Sequence, residues 1–435
     1  MFDLVIESLF TLSVGLIWFM IAYQLLLSFT GYLYALTARK DREKIDRLHR
    51  EGKFTYPFIS IMVPAHNEEK VIEKTVRDIL ALDYPADKME LLVINDSSTD
   101  RTGELLEKLR ESEPRLRILH TTPDIGGRGK SRALNLGMKE VKGDLIAIYD
   151  ADNRPEKNAL RYLAATMELR PGLGAALGMF RCINRGANLL TRFINIEGIG
   201  FQWIVQAGRW KLMRLSTLPG TNFVVRRELM EELGGWDEDA LTEDSELSIR
   251  IYQKGMRIAF IPYSVTWEQE PQSMKIWYKQ RRRWVRGNNY VLWKFLKELP
   301  RFRSKALALE LLYTLSLYYI FLLAVIFSDL VFILGVTGIW NISLLGPFSL
   351  VWALGYLLFI LEVFLTLSFE GEDSLSHLFL IALSYFTYCQ AWIVVVISAI
   401  WQDITGVKRT WIKTERVSEN QEAGEEDKRH KAANR

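Results

Sequence analysis

Long apolar stretches lie on both sides of a mixed, more polar central region. The first apolar stretch covers 4–36, and three more follow at 309–336, 348–369 and 375–401. About 20 apolar residues in a helix cross a hydrocarbon core of about 30 Å. The first stretch lacks the small-residue cleavage pattern of a signal peptide, so we expect it to remain as an anchor. The pattern predicts a multi-pass protein of the cell membrane.

Basic residues flank the central region at both ends. The stretch 39–53 holds seven Lys or Arg and four acidic residues, and 275–305 holds eleven Lys or Arg and one acid. Because Lys- and Arg-rich flanks stay in the cytoplasm, the central region is predicted to be cytoplasmic. Three full crossings after 305 would place the C-terminus outside, yet the basic residues of 408–416 favour the inside. We therefore expect one apolar run to be re-entrant or interfacial.

These boundaries divide the chain into five predicted segments. They are an anchor at 1–38, a central domain at 39–272, interfacial amphipathic helices at 273–305, membrane segments at 306–402 and a polar tail at 403–435. The end of the tail alternates Glu with Lys and Arg, which is typical of disorder.

The central region alternates short β-rich runs with stretches of helical spacing. Strands are predicted at 59–63, 91–95, 116–119 and 145–149, and helices at 68–80, 100–110 and 130–141. Continuous apolar strands suit a parallel sheet that is covered on both faces. The pattern predicts an α/β domain whose ligands lie beyond the carboxyl ends of its strands.

Charge and cysteine content exclude several classes of protein. The 435 residues include 55 Lys and Arg against 52 Asp and Glu, a net charge of +3, which argues against a nucleic-acid binder. Two Cys and five His make a disulfide framework or a zinc site improbable.

Three acids follow predicted strands. Asp96 comes after 91–95, and Asp150 comes after 145–149 with Asp152 two positions later. Two carboxylates spaced by one residue in a turn can hold a hard dication that takes its other ligands from water and substrate phosphates. The alternative, favoured for an isolated pair, is an Asx turn that caps the next helix.

Glu243 and Asp244 precede a stretch of helical spacing at 245–254. Acids in a first helical turn are often there because the helix dipole favours them. The functional interpretation requires a carboxylate close enough to a sugar hydroxyl to remove its proton.

A third cluster lies in a predicted helix, where Gln280, Arg283 and Trp284 share one face. Arg can bind phosphate oxygens in a fork, Gln can add a hydrogen bond, and an indole can lie against a sugar ring. The alternative is an interfacial helix whose arginines contact anionic lipid. We expect both roles, with the lipid-facing residues being Arg281, Arg282 and Arg286.

The segment 126–131 reads Gly-Gly-Arg-Gly-Lys-Ser and ends like a nucleotide-hydrolysing phosphate loop. That loop requires Gly five residues before Gly129, and this chain has Asp124 there. We still expect Lys130 to approach a nucleotide, because a Gly-rich turn that opens a helix favours anions. The alternative is a flexible hairpin.

Five motifs then occur in an order that resembles the processive family 2 glycosyltransferases. They read Val-Pro-Ala-His-Asn-Glu-Glu at 63–69, Asn-Asp-Ser-Ser-Thr-Asp at 95–100, Asp-Ala-Asp at 150–152, Thr-Glu-Asp at 242–244 and Gln-x-x-Arg-Trp at 280–284. This family includes the synthases of cellulose, hyaluronan, chitin oligosaccharides and poly-β-1,6-N-acetylglucosamine. The resemblance covers about residues 58–290.

The resemblance implies a Rossmann-like GT-A domain inserted between transmembrane helices. It implies a UDP-sugar donor, Mg²⁺ or Mn²⁺, and transfer with inversion to a growing polysaccharide. The implied catalytic residues are Asp150, Asp152 and Asp244, with Asp244 as general base and Asp152 as the metal ligand. The implied substrate-binding residues are Ala65, Glu68, Asp96, Lys130, Glu243, Gln280, Arg283 and Trp284.

Within the implied substrate site, Ala65, Glu68 and Asp96 hold the uridine, Gln280 and Arg283 hold the diphosphate, and Trp284 carries the acceptor sugar. Gly220-Thr221-Asn222 falls near the acceptor, in a loop that varies among relatives. The overall length, the single N-terminal anchor and the tail sequence at 411–416 favour an N-acetylglucosamine polymer.

Two other functions stay open at this level. One is a non-processive transferase that places a single sugar on a lipid phosphate. The other is a transporter or nucleotide sensor in the membrane, against which few charged residues lie inside the apolar runs. Four apolar runs are also few for a complete polysaccharide channel, so an accessory membrane subunit or an oligomer is an expected partner.

Overall fold

The computed structural model of the chain describes residues 2–302, 304–339 and 348–408. Most of the predicted polar tail, with its basic residues after Lys408 and the segment 411–416, lies outside the described residues. The same holds for residues 340–347, between the second and third apolar runs.

A single long helix opens the chain. Helix α1 spans Phe2–Arg50, so its apolar first part and its basic last part are continuous, and the boundary predicted at 38 falls within it. The basic part docks on the central domain, where the buried Arg161 is paired with Asp46 of α1 and with Asp83. A buried cation bound from both sides fixes the direction in which α1 leaves the domain.

One eight-stranded sheet forms the middle of the central domain. Its strands are β1 (Ile59–Ala65), β2 (Met89–Asp96), β3 (Leu116–Thr121), β4 (Leu145–Ile148), β5 (Arg154–Pro155), β6 (Leu173–Cys182), β7 (Phe223–Arg226) and β8 (Arg257–Glu268). Their order is β3-β2-β1-β4-β7-β6-β8-β5. The first four strands in this order are parallel, β7 runs antiparallel to both its neighbours, β6 and β8 are parallel, and β5 is antiparallel to β8.

The predicted α/β fold and all four predicted strands are confirmed. The strands that the sequence did not indicate have identifiable reasons. Strand β6 is rich in Gly and Ala, β7 has four residues, and β8 contains Pro262, all of which are weak strand signals.

Helices cover the parallel half of the sheet at the predicted places. They are α2 (Ile72–Leu80), α3 (Thr102–Ser112) and α4 (Lys130–Met138). Helix α2 begins four residues later than predicted, because Asn67 adopts a left-handed conformation with φ of 57°. The Asn67 side-chain oxygen accepts the backbone N–H groups of Thr99 at 2.7 Å and of Asp100 at 3.3 Å. The loop after β1 is therefore tied to the loop after β2.

The other helices of the central region are α5 (Ala159–Leu169), α6 (Leu189–Gly200), α7 (Gly208–Met213), α8 (Arg227–Leu233), α9 (Glu243–Gln253) and α10 (Met274–Leu296). A π-helical segment at Phe201–Ala207 joins α6 to α7. The strands β1, β2 and β4 are almost entirely buried, so the core lies on both faces of the sheet.

The C-terminal helices are α11 (Lys305–Ser316), α12 (Leu322–Val336), α13 (Phe348–Ser368), α14 (Leu375–Phe386) and α15 (Tyr388–Ile404). With α1 they give, within the described ranges of the chain, four helical stretches long and apolar enough to cross a membrane, at Val5–Arg50, Lys305–Gly335, Leu350–Ser368 and Leu375–Ile404. The last stretch bends at Thr387, between α14 and α15. The re-entrant run and the cytoplasmic side of the central domain stay predictions.

Candidate active site

The carboxyl ends of three neighbouring parallel strands form the floor of the site. Strand β1 pairs with β2 on one side and with β4 on the other. Asp96 ends β2, Asp150 follows β4 by two residues, and the buried Ala65 ends β1 between them. Next to Ala65, the backbone N–H of Glu68 donates to the Thr102 hydroxyl at 2.7 Å. Because the strands are parallel, the loops that follow them meet at one edge of the sheet.

Asp96 orders the glycine-rich loop that precedes α4. Its Oδ1 accepts the Thr121 hydroxyl at 2.9 Å and the backbone N–H of Gly127 at 2.8 Å. A Cβ on Gly126 would lie 1.9 Å from the Thr121 hydroxyl oxygen and 2.4 Å from Asp96 Oδ1, so the loop can pass there only as glycine. The segment 126–131 is thus bound to the strand end and delivers Lys130 as the first residue of α4.

Lys130 connects the predicted nucleotide side of the site to the predicted base. Its Nζ donates to Asp150 Oδ1 at 2.5 Å and to the Gly220 carbonyl at 2.6 Å, and it lies 3.7 Å from Glu243 Oε1. Burial disfavours the charged form of Lys130, but the charges of Asp150 and Glu243 outweigh burial and raise its pKa above the ordinary value. Lys130 therefore stays a cation among carboxylates.

Asp244 lies in the first turn of α9, beside Lys130 and Gly220. A Cβ on Gly220, whose φ is 86°, would lie 3.0 Å from Asp244 Oδ2 and 3.5 Å from Lys130 Nζ. Burial, together with the charge of Glu243, raises the pKa of Asp244 to about 7, although Lys130 lowers it. Asp244 is therefore a carboxylate that can accept a proton near neutral pH.

The segment 220–222, which the resemblance places near the acceptor, contacts the residues that follow β4. The Thr221 hydroxyl accepts the backbone N–H of Asp150 at 3.0 Å and donates to Asn153 Oδ1. Asn222 is held in a left-handed conformation with φ of 48°, and its amide donates to the backbone carbonyls of strands β6 and β8. A Gly-Thr-Asn run directly before β7 was the available signal, since these residue types favour turns.

Asp150 and Asp152 are the residues that could hold a metal ion. Asp152 is buried in the turn after β4. In the residues 2–302, 304–339 and 348–408, the structure has no preformed cluster of three or more His, Cys, Asp or Glu ligands. Two carboxylates in a turn fit a hard dication such as Mg²⁺, which takes its remaining ligands from phosphates and water. The donor set thus fits a metal that enters with its substrate.

The face formed by Gln280, Arg283 and Trp284 lies on α10, as predicted. Helix α10 packs directly on Thr242, the residue before α9: a Cβ on Gly287 would lie 2.5 Å from the Thr242 side chain. The helix therefore lies next to the predicted general base.

Gln280 and Trp284 both contact Arg281. Its guanidinium donates to Gln280 Oε1 at 2.9 Å and lies 4.0 Å from the centroid of the Trp284 ring, which is about one-third exposed. Within the described part of the chain, hydrogen bonds do not join Gln280 or Trp284 to Asp150 or Asp244. The convergence of all these residues on one ligand stays a prediction.

The lipid-facing role expected for Arg281 and Arg286 is wrong. Arg281 is 2% exposed and paired with Glu197 at 2.6 Å, and Arg286 is 6% exposed and paired with Asp403 at 3.0 Å. Both acids come from helices distant in the sequence, so the arginines join α10 to α6 and α15. Arg282 is partly exposed, and its guanidinium lies 5.1 Å from the centroid of the Tyr278 ring.

A cavity of about 520 Å³ opens beside this cluster. Its walls come from the start of α4, the loop before α9, α10 and the residues that follow α15. They include Lys130, Glu243, Arg286, Tyr290 and Val407. Its volume is in the range of pockets that take small molecules and cofactors.

Residues 57–287 match the protein-family model described as Glycosyltransferase like family 2. The chain is 42% identical over 419 residues to the probable glycosyltransferase YdaM of Bacillus subtilis, which covers 95% of this chain and 99% of that protein. It is 31% identical over 257 residues to a beta-monoglucosyldiacylglycerol synthase of Synechocystis, covering 58% of this chain and 53% of that one. It is 28% identical over 263 residues to a poly-beta-1,6-N-acetyl-D-glucosamine synthase of Staphylococcus aureus, covering 60% of this chain and 62% of that one.

Among solved structures, a mannosyltransferase of Pyrobaculum calidifontis in complex with GDP-Man and Mn²⁺ has the same fold. It has a TM-score of 0.58 and 20% identity, and covers 88% of this chain and all of that chain. The family model spans more than half of the chain, and the Bacillus relative is similar along nearly its whole length. The chain therefore belongs to glycosyltransferase family 2, with a GT-A-like domain and several long apolar helices.

Proposed function

We propose that the protein is a membrane-embedded, inverting β-glycosyltransferase that transfers a sugar from a UDP-sugar to a growing exopolysaccharide on the cytoplasmic side of the membrane. The observation that carries the proposal is the cluster of Lys130, Asp150, Glu243 and Asp244. It places a proton acceptor with a pKa near 7 next to the strand end where this fold binds ligands. Export of the polymer past the apolar helices, with or without a partner subunit, is part of the proposal.

The donor is assigned to the strand ends of β1, β2 and β4. Ala65, Glu68 and Asp96 line this edge and would receive the uridine. Asp152, with Asp150, would hold Mg²⁺ or Mn²⁺, which would supply positive charge beside the diphosphate. The Pyrobaculum mannosyltransferase binds GDP-Man and Mn²⁺ on the same fold, which supports a nucleotide sugar and a divalent cation.

The transfer step is assigned to Asp244 and α10. Asp244 removes the proton of the acceptor hydroxyl as its oxygen forms a bond to the anomeric carbon, and the bond from that carbon to the diphosphate breaks on the opposite side. The leaving diphosphate takes the bonding electron pair, where Arg283 and Gln280 would stabilise its charge. A single displacement inverts the anomeric configuration and requires no covalent intermediate on the enzyme.

The turnover rate is expected to rise with pH through about 7. Asp244 is active as a base only when it is ionised, and burial raises its pKa to about 7, so protonation below that pH removes the base. On the acid side, kcat should fall by about tenfold per pH unit. The measurement is kcat between about pH 5 and pH 9 at saturating donor. A rate that is flat from pH 5 to pH 7 would show that Asp244 is not the titrating base.

A lipid acceptor is the second candidate. The Synechocystis relative is named as a beta-monoglucosyldiacylglycerol synthase, and it is 31% identical to this chain over 257 residues. A single-sugar transferase of this kind would use the same donor edge and the same base. The two candidates would differ in the acceptor region beyond Trp284, which would hold either a polymer or a lipid headgroup.

Product analysis decides between the two acceptors. The full chain, purified in lipid nanodiscs, is incubated with Mn²⁺ and each of several radiolabelled UDP-sugars. We expect a ladder of long, water-soluble products from one donor, with UDP-N-acetylglucosamine as the first to test. A single product that extracts into organic solvent would establish the lipid acceptor instead. Asp244→Asn protein, assayed in parallel, controls for background hydrolysis.

A further inference from the structure

A polar network surrounds Glu197 at the place where α6, α10 and α15 meet. Glu197 Oε2 accepts Arg281 Nη2 at 2.6 Å and the Tyr388 hydroxyl at 2.8 Å, and its Oε1 accepts the Trp392 indole N–H at 3.0 Å. Both carboxylate oxygens are thus bound by donors from two other helices. The Glu197 side chain is 29% exposed, whereas Arg281 is 2% exposed. Because a buried guanidinium requires a paired carboxylate, the ion pair gives the network one well-defined arrangement.

Arg281 transmits that arrangement to two residues of the face on α10. While one of its nitrogens binds Glu197, the other donates to Gln280 Oε1 at 2.9 Å. Its guanidinium also lies 4.0 Å from the centroid of the Trp284 ring, within the range of a cation–π contact. The buried Arg281 therefore contacts both Gln280 and Trp284, the two residues that share a helix face with Arg283.

The contact with Arg281 also fixes which way the Gln280 amide points. A guanidinium has donors only, so the atom that faces it is the amide oxygen. The NH₂ group of Gln280 is then left as the donor for a ligand. If the amide turned over, its NH₂ would face Arg281 and its oxygen would meet the negative charge of the diphosphate.

We propose that Arg281, held by Glu197, is a positioning residue that presents the Gln280 N–H donors to the donor diphosphate and holds the Trp284 ring in place. The inference rests on the proposed function, since it assigns Gln280 to the diphosphate of that reaction. Through Tyr388 and Trp392 it makes the start of α15, a membrane helix, part of the support of the diphosphate site. A purely structural ion pair would stabilise the helices without acting through Gln280.

A double-mutant cycle on UDP binding separates these two roles. The dissociation constant of UDP with Mn²⁺ is measured by calorimetry for the wild type, Arg281→Lys, Gln280→Ala and the double variant, all as full chains in nanodiscs. Lys keeps the charge but cannot bind Glu197 and Gln280 as one planar fork. We expect Arg281→Lys to weaken UDP by about tenfold in the wild-type background and by less than about twofold when Gln280 is already Ala. Equal losses in both backgrounds would overturn the proposal.

Two milder variants keep the test decisive should Arg281→Lys fold poorly. Glu197→Gln and Tyr388→Phe alter the network at its other end, and each should weaken UDP binding in the same Gln280-dependent way. The unfolding temperature of every variant is recorded, and Arg282→Lys, at the partly exposed neighbour, should leave UDP affinity unchanged. Unchanged UDP affinity in both Glu197→Gln and Tyr388→Phe would count against the proposal.

The outcome is separable from that of the proposed function. If the wild type binds UDP but makes neither polymer nor lipid product, the proposed reaction fails while the binding cycle still decides the role of Arg281. If product forms but the cycle is additive, the reaction stands and the positioning role of Arg281 fails.

Discussion

Asp244→Asn is expected to lower kcat by about 10²- to 10⁴-fold, the usual contribution of general-base catalysis, while the affinity for UDP stays within about threefold of the wild type. Asparagine keeps the shape of the side chain and can still accept the backbone N–H of Ser245, which Asp244 accepts at 2.7 Å. It cannot take a proton from the acceptor hydroxyl. The loss should therefore fall on the chemical step and leave the donor-binding edge intact.

Two measurements check this expectation. Steady-state kinetics with a UDP-sugar gives kcat, and calorimetry with UDP and Mn²⁺ gives affinity. Asp87→Asn, at an exposed acid before β2, is the matched control and should behave as the wild type. Turnover by the Asp244→Asn variant at more than about one tenth of the wild-type rate would exclude Asp244 as the base.

Much of the donor side of the site could be predicted because it depends on local patterns. Each strand of the parallel half is a continuous apolar run, and the residue after such a run lies at the carboxyl edge of the sheet. Asp96 and Asp150 were placed in this way, and the structure puts them at the ends of β2 and β4, the two strands that flank β1. The antiparallel half escaped prediction because its strands carry Gly, Ala and Pro, which local propensity scores as non-strand.

The contacts that connect distant segments could not be predicted in the same way. Arg281 finds its acid 84 residues earlier, at Glu197, and Arg286 finds Asp403 117 residues later. In the sequence both arginines belong to a basic, aromatic-rich helix, and that pattern favours a lipid surface. Only the packing of α10 against α6 and α15 shows that these charges are neutralised inside the protein.

The role of Lys130 shows the same limit within the site itself. Its place at the start of α4 indicated an approach to nucleotide, but its three oxygen neighbours come from segments up to 113 residues away. The Gly220 carbonyl in particular carries no sequence signal, since any residue has one. Lys130 therefore has a second task beyond the predicted one, namely to hold Asp150 and Glu243 together beside Asp244.

Lys130→Met is accordingly expected to change both the stability and the pH dependence of the enzyme. Methionine has nearly the volume of lysine but no charge, so Asp150, Glu243 and Asp244 lose the cation that separates them. Removing one partner of a buried ion pair typically costs about 3 to 5 kcal/mol, so the unfolding temperature should fall markedly. Because Lys130 lowers the pKa of Asp244, its loss should raise that pKa further above 7.

The direction of the change in pH dependence makes the Lys130→Met prediction specific. With the pKa of Asp244 raised, the pH at which kcat reaches half its maximum should move upward. The free energy of unfolding should also fall as pH rises, because ionising Asp244 in the folded protein becomes more costly. Lys139→Met, at the exposed end of the same helix, is the matched control and should change neither quantity. Thermal unfolding and kcat across pH, both in nanodiscs, provide the two readouts. A Lys130→Met variant with wild-type stability and an unmoved or lowered midpoint would mean that the carboxylates beside Asp244 do not depend on this cation.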